Sequence, residues 1–236
     1  MAISASALAS SSASGAGPYT TASQTPTDGG SMRLFLIFQV FGGGTLPTGC
    51  SVSGNGQTWS SVDSYTAVAG VMSVWLFTVN LTASSSSGAL TITPSGDSSL
   101  KLCQWHCEEV TGQDTTTPYP QTVRATDGSA NPQVATYSLS ALGDATNNWT
   151  FAFTASGSLV TPSGTEIVDR SASDYYLEGQ YSNPGSTSMT ATAATAFQAQ
   201  GGFAWEVAVA SGGGGSAARL VGGILVNGIL IGTLAG

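Results

Sequence analysis

Short apolar runs alternate along this chain with clusters of turn-forming residues, and no segment carries a convincing helical period. The strongest runs are Met32–Phe41, Val71–Leu81 and Leu100–Val110. Each is rich in β-branched and aromatic residues, which fit a pleated, packed surface. Weaker runs of the same kind span Gln133–Leu139, Trp149–Ala155, Thr165–Ser171, Asp174–Tyr181, Ser188–Thr195 and Phe203–Ala210. Gly42-Gly43-Gly44, Asn55-Gly56 and Asn183-Pro184-Gly185 punctuate them. Many short strands without intervening helices predict an all-β chain, an antiparallel β-sandwich of jelly-roll-like type.

Within Met32–Phe41 the alternation is unusual. Leu34, Leu36, Phe38 and Val40 occupy one parity, while Phe35, Ile37, Gln39 and Phe41 occupy the other. Both faces are largely apolar, which predicts a central strand covered on two sides.

The ends differ from the body. Residues 1–17 are Ser/Ala/Gly-rich and predict a flexible N-terminal arm, or a strand formed only against a partner. Residues 18–211 make the sandwich, and 212–216 (GGGGS) a flexible linker. Residues 217–236 form an apolar tail expected to mediate assembly through Leu220, Val221, Ile224, Leu225, Val226, Ile229, Leu230, Ile231 and Leu234. Gly228, Gly232 and Gly236 imitate a small-residue helix-packing stripe. The run is nonetheless too interrupted for a clean membrane span. Pairing of the tail as a strand or extended arm is the favoured expectation.

Composition sharpens the functional reading. Only 8% of residues are charged, against about a quarter in ordinary soluble domains. The five basic residues stand singly and the net charge is −8, so no basic patch is available to neutralise phosphates, and no nucleic-acid partner is expected. Residues 1–17 lack the charged and apolar regions of a secretory signal, and the three cysteines form no disulfide framework. Both features suit a reducing cytoplasm.

One segment concentrates reactive side chains: Cys103-Gln104-Trp105-His106-Cys107-Glu108-Glu109. In a strand, Cys103 and Cys107 share a face but lie about 13 Å apart. That separation forbids a disulfide and does not make a zinc knuckle. The expectation is that Cys103, Trp105 and Cys107 face a core while His106 and Glu108 point outside. Glu108 and Glu109 project to opposite faces, as Glu166 and Asp169 would in a regular strand, so a glycosidase pair requires assembly across strands. No catalytic residue, cofactor or metal is therefore assigned, and the chain reads as a non-enzyme. Most of the five tryptophans read as core, whereas Tyr175, Tyr176 and Tyr181 are candidates for an exposed aromatic surface.

A set of landmarks carries a resemblance. Tyr19–Thr27 leads into Met32–Phe41, followed by Asn55-Gly56-Gln57-Thr58-Trp59, Val71–Asn80 and Gly88-Ala89-Leu90-Thr91-Ile92-Thr93. Trp105 through Glu109-Val110-Thr111-Gly112 and Phe203-Ala204-Trp205-Glu206-Val207 close the pattern. Over residues 18–210 the chain resembles virion-associated structural proteins of tailed bacteriophages and prophages. It departs from them at Cys103, His106 and Cys107, and in its apolar tail. The resemblance implies a jelly-roll-like capsid decoration (cement) protein, or a piece of tail or fibre, found in the virion after assembly in the host cytoplasm. Its partners would be the major capsid protein or other virion proteins, and sister subunits in a homo-oligomer. The alternative is a carbohydrate-binding or receptor-binding protein that contacts a host glycan.

Overall fold

The computed structural model describes residues 2–81, 85–96, 98–127, 133–172, 175–194 and 200–210, together with the strands 224–226 and 229–231. Every secondary-structure element among the described residues is a β-strand or bridge. In chain order they are β1 (Ser4–Ser14), β2 (Tyr19–Thr20), β3 (Ser31–Thr45), β4 (Gly49–Gly54), β5 (Gln57–Thr58), β6 (Ser60–Val68), β7 (Met72–Asn80), β8 (Leu90–Ser95), β9 (Ser98–Thr111) and β10 (Thr122–Asp127). There follow β11 (Val134–Ser138), β12 (Trp149–Ser156), β13 (Val160–Pro162), β14 (Thr165–Ala172), β15 (Tyr175–Ser182), β16 (Ser188–Ala193), β17 (Gln200–Val207), β18 (Ile224–Val226) and β19 (Ile229–Ile231). All pairings between them are antiparallel.

The body is a sandwich with more layers than two. A first central sheet has the order β1-β9-β3-β7-β6, and a second has the order β10-β17-β12-β15-β14. An outer sheet, β2-β8-β4-β5, covers the first, and another, β11-β16-β13, covers the second. Three cores follow from this stacking. Leu34, Leu36, Phe38, Trp75 and Trp105 pack against Trp59, Leu90 and Ile92 of the first outer layer. Phe35, Ile37 and Leu76 meet Phe151, Phe153, Phe203 and Trp205 between the central sheets. Ala152 and Ala204 meet Tyr137, Met189 and Ala191 beneath the second outer layer.

Strand β3 therefore lies at the middle of the stack, as its two apolar parities predict. The edges of the two central sheets align. Tyr65 of β6 donates to the carbonyl of Ala125 in β10 (2.9 Å), Gln104 Nε2 of β9 to Tyr175 O (3.3 Å), and Arg170 of β14 to Ser10 O of β1 (3.5 Å).

Local chemistry explains individual turns. Asn55 and Gly56 have φ of 57° and 65°, the left-handed pair that a two-residue hairpin needs between β4 and β5. Asn55 Nδ2 also donates to Ser86 O (2.9 Å), so the turn residue ties down its neighbouring loop.

The expectation for the N-terminal end is corrected. Ser4–Ser14, expected as a flexible arm, is an edge strand paired along its length with the chain's own β9. Its alternating small residues fit flush beside β9, and Ile3 and Ala9 reach the cores. In the tail, β18 and β19 pair with each other, Ile224 opposite Ile231 and Val226 opposite Ile229. Leu220, Val221, Leu234 and the 212–216 linker lie outside the described residues. No helix among the described residues is long and apolar enough to cross a membrane.

Candidate functional site

The reactive segment 103–109 lies in β9, the strand next to β3 in the first central sheet. Cys103, Trp105 and Cys107 face the outer core, as the strand period predicts. Burial pushes both thiols well above the normal range, with Glu108 and Glu109 raising Cys107 further. Cys50 is likewise pushed up to about 12 by burial. None of the three is a thiolate nucleophile at neutral pH.

His106 and Glu108 are not outside. The second central sheet covers the face they occupy, leaving them 1% and 3% exposed. A strand period assigns a side chain to a face but cannot say whether a further layer covers that face. His106 Nε2 and Glu108 Oε2 are 2.7 Å apart, and the imidazole packs 4.9 Å from the Phe153 ring.

Arg33 stands opposite Glu108 in the β3–β9 register. Its guanidinium lies 4.0 Å over the Tyr119 ring and 5.2 Å from that of Trp205, and it donates to Thr122 Oγ1 at 3.3 Å. Burial lowers its pKa to about 10, so it stays charged at neutral pH. These groups form a sealed polar belt between the sheets, without access for a substrate.

A second cluster forms where the sequence suggested separation. A bulge between Glu166 and Val168 in β14 sets Glu166 opposite Gln180 and Asp169 opposite Glu178. Gln180 and Glu178 share a face of β15, so the bulge brings Glu166 and Asp169 to one side. Regular alternation would have separated them. Glu178 is fully buried, and neither of its carboxyl oxygens has a hydrogen-bond partner. Burial, reinforced by Glu166 and Asp169, raises its pKa to about 9. It is a neutral acid at pH 7, beside two carboxylates, but no solvent reaches it.

This sets a pH signature. The folded chain holds a proton on Glu178 that the unfolded chain releases near its ordinary value of 4.5. Stability contributed by this position therefore falls as pH rises between those two values, and is lowest above the folded pKa. Glu178→Gln is expected to gain about 2 kcal/mol at pH 8 and to flatten that slope. Thermal melts from pH 5 to 9 measure it, and parallel wild-type and variant curves would refute it.

An accessible concavity lies at one end of the central sheets. A cavity of about 540 Å³ is lined by Asp114, Thr116, Thr117, Asp144, Asn148 and Val209, among others. Val209 also borders a second cavity of about 200 Å³, where Trp149, Asn147 and Asn183 meet Ile3. Glu206 organises the floor: it accepts from Gly143 N (2.9 Å), Gln121 Nε2 (2.7 Å) and Asn148 Nδ2. Asp114 and Asp144 cap their own turns through Thr116, Thr117, Thr146 and Asn147. Those hydrogen bonds hold both carboxyls below the usual range. Trp149 is half-buried and stacks on Tyr181 with centroids 5.1 Å apart. Chemically, this groove offers an indole ring, amides and hydroxyls, with the Asp114 and Asp144 carboxylates engaged in capping their own turns.

The expected exposed aromatic surface does not form as one patch. Tyr175 is 2% exposed and belongs to the core between the central sheets. Tyr181 is half-buried on that same face, and Tyr176 is half-buried on the opposite one. Strand parity foretold the split between Tyr175 and Tyr176. It could not foretell that the Tyr175 face lies under the first central sheet. The other four tryptophans are buried, as expected, and Trp149 is the one the groove uses.

Comparison with protein families, curated proteins and solved structures finds no match.

Proposed function

We propose that this protein is a non-enzymatic structural component of a bacteriophage particle, attached to the capsid lattice or to other virion proteins. The carrying observation is the β18–β19 hairpin. Its six strand residues, Ile224, Leu225, Val226, Ile229, Leu230 and Ile231, are all aliphatic and pair as a sheet of their own. Such a ribbon is marginal alone in water and is stabilised when another protein surface covers it.

The body supports the same reading. Most of its described aromatic residues, with Cys103 and Cys107, are committed to three interior cores, while its outer layers are rich in serine and threonine. Contacts made by such neutral surfaces are little affected by changing salt.

A second reading, contact with a host glycan, rests on the groove at Trp149, where an aromatic edge meets asparagine amides.

The test is peptide mass spectrometry of gradient-purified particles from an induced lysate of the organism that encodes the chain. Fragments of this protein should band with the particles and remain through a high-salt wash. A chain ending at Ser211 should leave the particle fraction while staying folded. Absence of the full-length chain from particles would overturn the proposal.

A further inference from the structure

The four layers of the body divide in sequence at Gly112. Residues 2–111 supply the first central sheet and its cover, β2-β8-β4-β5, and residues 112–210 supply the second central sheet and its cover, β11-β16-β13. The two parts repeat one wiring. In each, the chain enters on an edge strand (β1, β10), crosses to the outer layer (β2, β11) and returns as the middle strand (β3, β12). It revisits the outer layer (β4 with β5, β13) and then forms the far edge and its neighbour (β6 with β7, β14 with β15). After a last outer strand (β8, β16) it ends between the first edge and the middle (β9, β17). Among the described residues, β5 is the one strand of these four sheets without a counterpart.

Details repeat as well. Both far-edge strands bulge at their third residue, Val62 in β6 and Ile167 in β14, and both side chains pack on the core between the central sheets. Glu109-Val110 and Glu206-Val207 stand near the ends of β9 and β17. Each valine joins that same core, and each glutamate accepts an N–H from the loop entering its middle strand, that of Thr27 or of Gly143. Phe35 and Phe153 are each fifth in their middle strand, and their rings meet at 5.9 Å.

The contact between the parts is reciprocal. β14 reaches β1 through Arg170 and the Ser10 carbonyl, and β6 reaches β10 through Tyr65 and the Ala125 carbonyl. Tyr65 and Arg170 each lie three residues past their strand's bulge. Their acceptors, opposite His106 of β9 and Gly202 of β17, are one position apart in the repeat. A two-fold axis running along the strands between Phe35 and Phe153 exchanges the two edge contacts, which is the rule for an isologous interface.

We infer that the face between the central sheets is a dimer interface enclosed within one chain. Each unit, 2–111 or 112–210, recognises another unit of the same wiring through its five-stranded sheet. The recognised surface is an aromatic and aliphatic sheet face, with Phe35, Ile37 and Leu76 against Phe151, Phe153 and Trp205. Burial of this kind holds obligate subunits together without a covalent link. The inference goes beyond attachment to a particle, because it concerns contacts inside the chain and is read on the purified protein.

The experiment places a site-specific protease sequence between Thr115 and Thr116, both exposed on the crossing from β9 to β10. The folded full-length protein is cut there and followed by light scattering after size exclusion and by circular dichroism. The two pieces are expected to elute together at the mass of the uncut chain with an unchanged strand signal, to separate in denaturant and to reassemble on its removal. In the cut protein, Tyr65→Phe and Arg170→Ala should each weaken the association several-fold, whereas Ser51→Ala on the outer layer should leave it unchanged. If a variant is already unfolded before cutting, the cut wild type decides alone. Pieces that elute apart, a strand signal lost on cutting, or folded edge variants that associate as tightly as wild type would overturn the inference.

Discussion

Phe153→Ala is expected to cost about 4 kcal/mol, the upper range for removing a buried aromatic. Phe153 is 1% exposed and sits where the two central sheets meet. Its ring lies 5.3 Å from Trp205, nearly parallel to it, 5.9 Å from Phe35 and 4.9 Å from the His106 imidazole. Truncation opens a void bounded by both sheets, and it strips the His106–Glu108 pair of its apolar cover. Native domains have about 5–15 kcal/mol in total, so the variant should be close to unfolding at 37 °C. Denaturant unfolding of wild type and variant measures it. A loss under about 1 kcal/mol would mean that the sheets do not share a core at this position.

Gly202→Ala should be comparably severe for a different reason. Gly202 lies in β17, opposite Thr154 of β12 on one side and Ala125 of β10 on the other. An added Cβ would overlap the Phe153 carbonyl oxygen and approach the Tyr137 hydroxyl to 2.8 Å. That hydroxyl is bonded to Thr154 Oγ1 at 2.8 Å, so relief would require breaking a buried contact or spreading two central strands. The expected loss is about 3 kcal/mol or more. Gly88→Ala is the control, because nothing lies within 4 Å of the position its new methyl group would take, and it should be near neutral. The two melting temperatures separate the cases, and equal values would refute the steric argument.

Both predictions depend on a layered arrangement that was only partly legible in the chain. β3, β7, β9, β12, β15 and β17 were visible as runs of β-branched and aromatic residues. The two-sided burial of β3 was visible in its two apolar parities. The hairpin at Asn55-Gly56 was written in two residues, because few others adopt left-handed backbone so readily. β1, β6 and β10 were not foreseen as strands. Serine, alanine and threonine segments have little propensity of their own, and these three became strands by completing the edges of sheets whose centres had formed.

The site residues divide the same way. Parity correctly put Cys103, Trp105 and Cys107 together and His106 opposite, but left His106, Glu108 and Tyr175 looking exposed. Glu166 and Asp169 looked separated until a one-residue bulge reversed the parity between them. The end groove had no sequence signal beyond isolated residues, since Asp114, Asp144, Trp149, Asn183 and Val209 come from four separate stretches of chain.

The sequence by itself determined the fold class, the central strands and which side chains share a face, because backbone geometry fixes the period of two locally. Tertiary structure alone decided how many layers stack, which faces are dry and which edges stay open. Those properties depend on strands far apart in the chain meeting across a core, and no local pattern records which partner a face will find.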